Sequence, residues 1–170
     1  QTIIKMKRVL LILILFFGGI PCHAQNPPLL WGNAVGGAYA DFATAIGRDQ
    51  SNNVYTTGSF QHIVDFDPGP GVFNLISPGW ATYILKQNST GGLIWAIQFE
   101  GNTFSSMSRA ETIALDNNGN IIVAGFFSGR VDFDPGPGIM YIESITTADL
   151  FIAKINPLAQ LIWVHQIQGW

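Results

Sequence analysis

The stretch Val64-Asp65-Phe66-Asp67-Pro68-Gly69-Pro70-Gly71 returns, residue for residue, as Val131-Asp132-Phe133-Asp134-Pro135-Gly136-Pro137-Gly138. Eight identical residues that include two prolines and two glycines are very unlikely to recur by chance, so the chain contains a repeated unit of 67 residues. A repeat of this length is typical of one supersecondary unit stacked on copies of itself. The repeat points to an architecture, but it does not by itself name a ligand or a reaction.

After residue 24, apolar residues alternate with polar ones or form short runs rich in Val, Ile, Phe, Tyr, Trp and Thr. Asn, Gly, Pro, Asp and Ser interrupt these runs at short intervals, which is typical of strands and turns. The pattern therefore predicts an all-β chain. The predicted strands of the first unit lie near 43–47, 53–60, 62–66, 72–77, 81–88 and 93–100, and those of the second near 112–115, 120–127, 130–133, 139–143, 150–155 and 161–168.

The turns between these strands also recur. Asp49-Gln50-Ser51-Asn52-Asn53 matches Asp116-Asn117-Asn118-Gly119-Asn120 at the same offset. Asn, Asp and Gly tolerate positive φ, and Asn and Asp side chains bond to nearby backbone, so both stretches predict hairpin turns. Further along, Leu93-Ile94-Trp95 matches Leu161-Ile162-Trp163 at an offset of 68, which shows that the second unit contains one inserted residue.

Leu29-Leu30-Trp31, in a segment that closes at Gly37, looks like the last strand of a preceding unit. The predicted organisation is 25–37 as that strand, 38–101 as repeat 1 and 102–169 as repeat 2. Trp31, Trp95 and Trp163 then occupy equivalent places. A tryptophan that returns once per unit is expected to pack between neighbouring sheets, with stacking on a sugar as the alternative.

The first residues carry a targeting pattern. Lys7 and Arg8 precede an apolar run over 9–17, and small residues follow up to Ala24. This pattern predicts a secretory signal peptide over 1–24, with translation starting at Met6 and cleavage after Ala24. The run is shorter than the ~20 residues that span a bilayer, so no membrane attachment is expected once the signal is removed. We therefore expect a secreted protein, extracellular or at the cell surface.

Cys22 is the sole cysteine of the chain and is removed with the predicted signal peptide. A lipoprotein would use it as its anchor, but Pro21 directly before it fits that processing poorly. The remaining chain has five basic residues against eleven acidic ones, a formal charge of −6. Nucleic acid is an unsuitable partner for such a chain because its phosphates require clustered Lys and Arg.

The run Asp116-Asn117-Asn118-Gly119-Asn120-Ile121-Ile122-Val123-Ala124-Gly125 and the run Asp149-Leu150-Phe151-Ile152-Ala153-Lys154, with the closing Leu-Ile-Trp strand, resemble the bacterial seven-bladed β-propeller repeat. The resemblance covers nearly all of the chain after the predicted signal. It implies antiparallel four-stranded blades in extracellular or surface proteins that have few assigned activities. The repeat here is longer than the family's, and we expect its insert around Asp-Phe-Asp-Pro-Gly-Pro-Gly to form an extra hairpin on each blade. Ala81 stands where the second unit has Asp149, so an acidic residue at that position is not essential to the fold.

Two blades and a leading strand are too few to close a ring, which typically needs four to eight blades. Gly169 and Trp170 stand where the next unit should begin. We therefore expect an incomplete ring, in a chain truncated after residue 170 whose full-length protein supplies further blades. Open blade faces of this kind tend to aggregate or to recruit partners.

Asp65 and Asp67 are two residues apart at a predicted strand end, as are Asp132 and Asp134. Side chains at this spacing leave the same face roughly 7 Å apart. They could structure the turn through bonds to nearby backbone, bind calcium, or serve as a catalytic carboxylate pair. Repetition disfavours catalysis, because a catalytic site usually occurs once per fold. Turn structure is the first interpretation, and calcium at these four residues is the alternative.

Other motifs give weaker signals. Asp116-x-Asn118-x-Asn120 copies the opening of a calcium loop but lacks that loop's glycine and glutamate, so a hairpin turn is expected. His62 and His165 have no partner at metal-ligand spacing and are expected to be ordinary strand residues.

No motif assembles an active site, and no cofactor is expected apart from the calcium alternative. The predicted function is a non-enzymatic secreted β-propeller that acts as a scaffold, or as a binding or adhesion module for a protein or glycan ligand. The alternative is the propeller part of an extracellular hydrolase with its catalytic residues beyond residue 170.

Overall fold

The computed structural model describes residues 29–168, and these residues form an all-β structure of antiparallel strands without a helix. The prediction of an all-β fold is therefore confirmed. The strands in chain order are β1 (Gly36–Gly37), β2 (Phe42–Arg48), β3 (Val54–Asp65), β4 (Asn74–Gln87), β5 (Leu93–Gly101), β6 (Met107–Leu115), β7 (Ile121–Ser128), β8 (Arg130–Asp132), β9 (Tyr141–Glu143), β10 (Asp149–Ile155) and β11 (Leu161–Ile167). Nothing in the described segment is both helical and apolar over a length that would cross a membrane.

Each repeat forms a four-stranded antiparallel sheet of the same topology. In repeat 1 the order is β2, β3, β4 and β5, and in repeat 2 it is β6, β7, β10 and β11. Strand burial follows the alternation read from the sequence, as in β7, where every second residue is buried. The two units are therefore blade-like sheets, as the β-propeller resemblance implied, and they close no ring within residues 29–168.

The extra hairpin of repeat 1 extends the blade strands, which corrects two strand boundaries. Predicted strands 53–60 and 62–66 are one strand, β3, and predicted strands 72–77 and 81–88 are one strand, β4. The ladder continues through an irregularity between Gln61 and His62, where His62 adopts a φ of 58°. In repeat 2 the equivalent Gly129, at φ 68°, separates β7 from β8.

The inserted residue of repeat 2 lies where the extra hairpin rejoins the blade. Three residues separate Ser77 from Ala81, whereas four separate the equivalent Ser144 from Asp149. In repeat 1 the ladder passes this point within β4, but in repeat 2 the longer segment forms a loop between β9 and β10. The predicted strand 139–143 is accordingly shorter and begins at Tyr141.

The extra hairpins also connect neighbouring units. The β8 strand pairs with the end of β5, with Glu100 opposite Asp132. In the same way β1 pairs with β3, with Gly36 opposite Asp65. Gly36–Gly37 thus takes the position relative to repeat 1 that the end of β5 takes relative to repeat 2. The predicted signal peptide, residues 25–28 of the predicted leading strand and the last two residues of the chain lie outside the described residues, so those assignments stay predictions.

The main core lies between the two sheets. We call the face of repeat 1 that packs against repeat 2 its back face, and the face of repeat 2 that packs against repeat 1 its front face. The back face of repeat 1 contributes Tyr55, Ile84 and Phe99, and the front face of repeat 2 contributes Phe127 and Phe151. All five side chains are almost fully buried. Burial of one such side chain contributes about 1.5–3 kcal/mol, so contact between the broad faces of the sheets holds the repeats together in addition to the β5–β8 pairing.

The opposite faces of the two sheets are covered to different extents. The front face of repeat 1 carries a second cluster that includes Phe60, Phe66 and Tyr83, with Val35 packed against it. On the back face of repeat 2, Leu150 and Ile167 are about half exposed. These two faces are the counterparts of the pair that meets in the main core.

Candidate functional site

The carboxylates of the repeated Asp-Phe-Asp motif bond to the backbone of their own loop. Asp65 ends β3, and its Oδ1 accepts hydrogen bonds from the N–H groups of Asp67 at 3.0 Å and Phe73 at 2.8 Å. The same two bonds, at the same distances, surround Asp132 at the end of β8. The first aspartate of each motif therefore ties the two ends of the hairpin loop together.

The second aspartate bonds within the Pro-Gly-Pro-Gly turn. Oδ1 of Asp67 accepts the N–H of Gly69 at 2.8 Å, and Asp134 repeats this contact at 2.8 Å in repeat 2. A Cβ on Gly71 would lie 2.2 Å from Oδ2 of Asp67, so a larger residue there would require the Asp67 carboxylate to shift. The phenylalanine between the two aspartates is buried, and Phe66 packs edge-on against Phe60 at a centroid distance of 5.4 Å.

These bonds give the Asp-Phe-Asp motifs the geometry of a structured turn. The N–H groups of Phe73 and Asp67 hold the pKa of Asp65 below its usual value. Among residues 29–168, no group of three or more His, Cys, Asp and Glu side chains could hold a metal ion. Two carboxylates per motif could still supply part of a calcium shell, so calcium at Asp65, Asp67, Asp132 and Asp134 stays a prediction.

The motif that copies the opening of a calcium loop forms a hairpin turn. Oδ1 of Asp116 accepts the N–H groups of Asn118 and Asn120, both at 2.9 Å, and Gly119 has a φ of 76°. Oδ2 bonds to the Asn120 amide and to Lys154 Nζ at 2.8 and 2.9 Å. These bonds keep the pKa of Asp116 well below its usual value. The turn interpretation of this motif is confirmed.

The two histidines occupy different environments. His62 lies in β3, as expected for a strand residue, but in a left-handed conformation. Its ring lies 4.1 Å from that of Tyr39. His165 lies in β11, and its ring is 4.9 Å from that of Trp163.

The three equivalent tryptophans make different contacts. Trp95 packs against the core that both repeats share, so the predicted packing role is confirmed for this residue. Trp31 Nε1 donates a hydrogen bond to the carbonyl oxygen of Ser89, in the turn between β4 and β5. For Trp31 and Trp163 the alternative of sugar stacking stays untested.

Asp149 organises the loop that the inserted residue creates. Its carboxylate accepts bonds from the N–H of Ile145 at 2.7 Å, from Thr146 Oγ1 at 2.6 Å and from Gln166 Nε2 at 2.6 Å. Repeat 1 has the shorter connection and carries buried Ala81 at this position. The fold therefore needs an acidic residue only in the repeat that has the longer loop.

An apolar surface at the hairpin end of repeat 1 was not identified from the sequence. We call it the hairpin-end surface, and it forms a depression of about 610 Å³. Its principal residues are Tyr39, His62, Ile63, Ile76 and Phe104. The two isoleucines face each other across the β3–β4 ladder and remain 56% and 58% exposed, and Phe104 is 80% exposed.

The same positions in repeat 2 are charged. Arg130 and Glu143 are opposite each other in the β8–β9 ladder, at the positions equivalent to Ile63 and Ile76. Both charged residues are exposed. The fold therefore accepts either pair, and burial in the described core does not explain the two isoleucines. A comparison of the two repeats at this position was the sequence signal that could have revealed the surface.

Comparison with known proteins gives one informative similarity, and no family model matches the chain. The chain is 29% identical to an uncharacterised WD repeat-containing protein of Acanthamoeba polyphaga mimivirus. The alignment covers 81% of this chain but only 12% of the length of that relative. The antiparallel blade-like sheets and this similarity both fit blades of the β-propeller type, while the specific bacterial family and its insert stay predictions.

Proposed function

We propose that this protein is a non-enzymatic β-propeller-type scaffold that binds a protein partner through the hairpin-end surface. The observation that carries the proposal is the difference between the repeats, with Ile63 and Ile76 in one and Arg130 and Glu143 in the other. The fold does not require apolar residues at these exposed positions. A partner that buries them supplies the missing reason for their presence.

The chemistry of the hairpin-end surface fits an apolar segment of a protein. Aromatic residues are enriched at protein interfaces, and here Tyr39 and Phe104 are exposed beside the two isoleucines. Burial of a whole isoleucine side chain contributes about 1.5–3 kcal/mol, so two half-exposed ones offer about 2–3 kcal/mol to a partner that covers them. The similarity to a WD repeat-containing protein supports a scaffold role.

The proposal includes a location outside the cell, in a secreted or surface-attached form. The support is the leader pattern over 1–24, in which Lys7 and Arg8 precede an apolar run and small residues follow up to Ala24. Expression with the native leader, followed by N-terminal sequencing of the exported product, tests it. A product that begins after Ala24 supports export, and an unprocessed product retained in the cell contradicts it.

The two sheet faces that lie outside the main core are expected to receive further repeats. The face of repeat 2 that carries Leu150 and Ile167 is the counterpart of the repeat 1 face buried in the main core. Another blade with a front face like that of repeat 2 would cover it in the same way. Such stacking is consistent with a scaffold built from several blades.

A charge graft tests the binding proposal without changing the fold. The double variant Ile63→Arg and Ile76→Glu installs the pair that repeat 2 already carries at the equivalent positions. Peptides selected from a random displayed library for binding to the wild-type protein should be rich in apolar residues. They should bind the graft at least about tenfold more weakly, because each 1.4 kcal/mol of lost burial is a factor of ten.

Leu158→Arg is the matched control, because Leu158 is 78% exposed in a turn at the opposite end of the sheets. It should leave peptide binding unchanged. Equal binding by wild type and graft would overturn the proposal. A glycan array run in parallel tests a carbohydrate ligand. If wild type binds a glycan but no peptide, and Tyr39→Ala loses the glycan binding, the ligand of this surface is a carbohydrate and not a protein.

A further inference from the structure

A second surface lies at the opposite end of the sheets, between the turns of the two repeats. We call it the turn-end cleft. It has a volume of about 380 Å³ and is lined by the 48–51 turn and Lys86 on one side and by residues 115–119 and Pro157 on the other. It belongs to the contact between repeats that the structure fully describes, and it shares no residue with the hairpin-end surface.

The two repeats treat an equivalent lysine differently. In repeat 2, Lys154 Nζ forms a 2.9 Å ion pair with Asp116 Oδ2. In repeat 1 the equivalent carboxylate oxygen, Asp49 Oδ2, accepts instead the hydroxyl of Tyr55 at 3.1 Å. Repeat 2 has Ile122 at the tyrosine position, which cannot donate a hydrogen bond. Tyr55 therefore takes the acceptor that would otherwise hold the lysine of repeat 1.

Lys86 is left half-buried, with no acceptor for its ammonium group among residues 29–168. Its Nζ lies 5.0 Å from the ring centroid of Tyr55 and 5.9 Å from that of Trp95, which holds the ammonium group by cation–π attraction. It forms no ion pair with any residue in 29–168, and neither does the exposed Arg48 on the same wall. The cleft thus presents two cations with unused hydrogen-bond donors.

The acidic side chains of the cleft do not fill this need, because their oxygens are already used. Asp49 accepts bonds from the N–H groups of Ser51 and Asn53, from the Asn53 amide and from Tyr55. Asp116 has the same number of partners, including Lys154. A ligand that brings its own carboxylate would therefore meet free donors on Lys86 and Arg48.

We propose that the turn-end cleft binds an acidic peptide segment, with an Asp or Glu carboxylate of the partner held by Lys86 and Arg48. Gln50, Asn117 and Asn118 line the same cleft and can exchange hydrogen bonds with a peptide backbone. Stacking on a sugar ring is disfavoured in this cleft, because Tyr55, the aromatic residue that lines it, is only 1% exposed. This site is independent of the proposed partner at the hairpin-end surface.

The test uses a fluorescein-labelled tetraglutamate peptide, with tetraglutamine as the uncharged counterpart. Fluorescence anisotropy should detect tetraglutamate and not tetraglutamine, and added salt should weaken the signal. Lys86→Met, which keeps an apolar stem over the rings, should weaken binding about fivefold, as expected for one partly exposed ion pair. Arg130→Met removes the same charge at the opposite end of repeat 2 and should bind like wild type.

Tyr55→Phe provides a test that leaves the net charge unchanged. Loss of the hydroxyl frees Asp49 Oδ2 to pair with Lys86, as Asp116 pairs with Lys154, so tetraglutamate binding should fall although both cations remain. Equal binding of both peptides would overturn the proposal, as would equal losses in Lys86→Met and Arg130→Met. Tetraglutamate binding as tight as that of wild type in both Lys86→Met and Tyr55→Phe, with both proteins folded, would also overturn it. Failure here leaves the hairpin-end proposal untouched, because the charge graft at Ile63 and Ile76 is measured with different peptides.

Discussion

Replacement of Gly125 by alanine should destabilise the protein through a backbone clash. Gly125 lies in β7 opposite Ala110, beside the irregularity of β6 between Ala110 and Thr112. A Cβ at this position would lie 2.0 Å from the carbonyl oxygen of Arg109 and 2.8 Å from Cα of Ala110. Repeat 1 has the same close approach, where a Cβ on Gly58 would lie 1.8 Å from a backbone oxygen.

The size of the effect follows from the displacement that alanine requires. Because Cβ contacts below 3.0 Å are essentially never observed, β6 and β7 would have to separate by about 1 Å near Gly125. Loss of one or two ladder hydrogen bonds costs about 1 kcal/mol each, and overpacking adds about 1–3 kcal/mol. Alanine also reduces the entropy of the unfolded chain, which offsets about 0.4–1 kcal/mol. The expected net loss of unfolding free energy is about 2–3 kcal/mol.

Urea unfolding followed by tryptophan fluorescence measures this loss as a lower midpoint at an unchanged slope. Gly32→Ala is the control, because apart from its chain neighbours no atom of residues 29–168 lies within 4 Å of the Cβ that it would add. It should change the unfolding free energy by less than about 0.5 kcal/mol. A Gly125→Ala variant as stable as the Gly32→Ala variant would refute the clash.

Three further outcomes are expected. Asp149→Ala should lower the unfolding free energy by about 2 kcal/mol, since it leaves loop donors unpaired. Replacing 145–148 in the same variant by Pro-Gly-Trp, the shorter connection of repeat 1, should restore part of the lost stability in thermal melts. Burial and the charge of Asp132 raise the pKa of Glu100, so the folded protein binds this proton more tightly than the unfolded chain, and the unfolding free energy falls as pH rises through that pKa. Glu100→Gln should therefore raise the unfolding free energy by up to about 0.5 kcal/mol at neutral pH. This difference from wild type should vanish on acidification. If Asp65 and Asp132 contribute to calcium sites, chelator should lower the Tm of wild type but not of their double asparagine variant, and an unchanged wild-type Tm would remove calcium.

The hairpin turns could be predicted because their chemistry is local. Asp49 and Asp116 each bond to N–H groups two and four residues further on, and the fourth residue of each turn has positive φ. These contacts need no information from other parts of the chain. The Asp-Phe-Asp loops follow the same logic, since Asp67 bonds only two residues ahead.

The strand boundaries near the extra hairpins failed for a different reason. The sequence predicts breaks at Gln61 and at residues 78–80, but an irregular ladder carries both strands of repeat 1 through this region. A left-handed His62 is uncommon for a residue with a Cβ, and it is fixed here by the surrounding ladder and the Tyr39 ring. Tertiary contacts of this kind leave no periodic signal in the sequence.

The pairing between units could not be read from the sequence either. β8 joins β5, which precedes it by some thirty residues and belongs to the other repeat. Strand propensity describes a segment but not its partner, and this partner follows from how the two sheets pack. The turn-end cleft depends on the same packing between repeats, so the sequence alone does not reveal it.

The two repeats provide an internal control for deciding which residues serve the fold. Positions occupied identically, such as the Asp-Phe-Asp motif and the glycine at 58 and 125, make the same contacts in both units. Where the repeats differ, the change from Ala81 to Asp149 has a structural reason, since it accompanies a longer loop. The exposed Ile63 and the unpaired Lys86 have no such reason within the described residues. Their counterparts in repeat 2 are Arg130 and the ion-paired Lys154, and repeat 2 adopts the same fold. Where the fold does not require a difference between the repeats, ligand binding can account for it, and the two proposed sites lie at such positions.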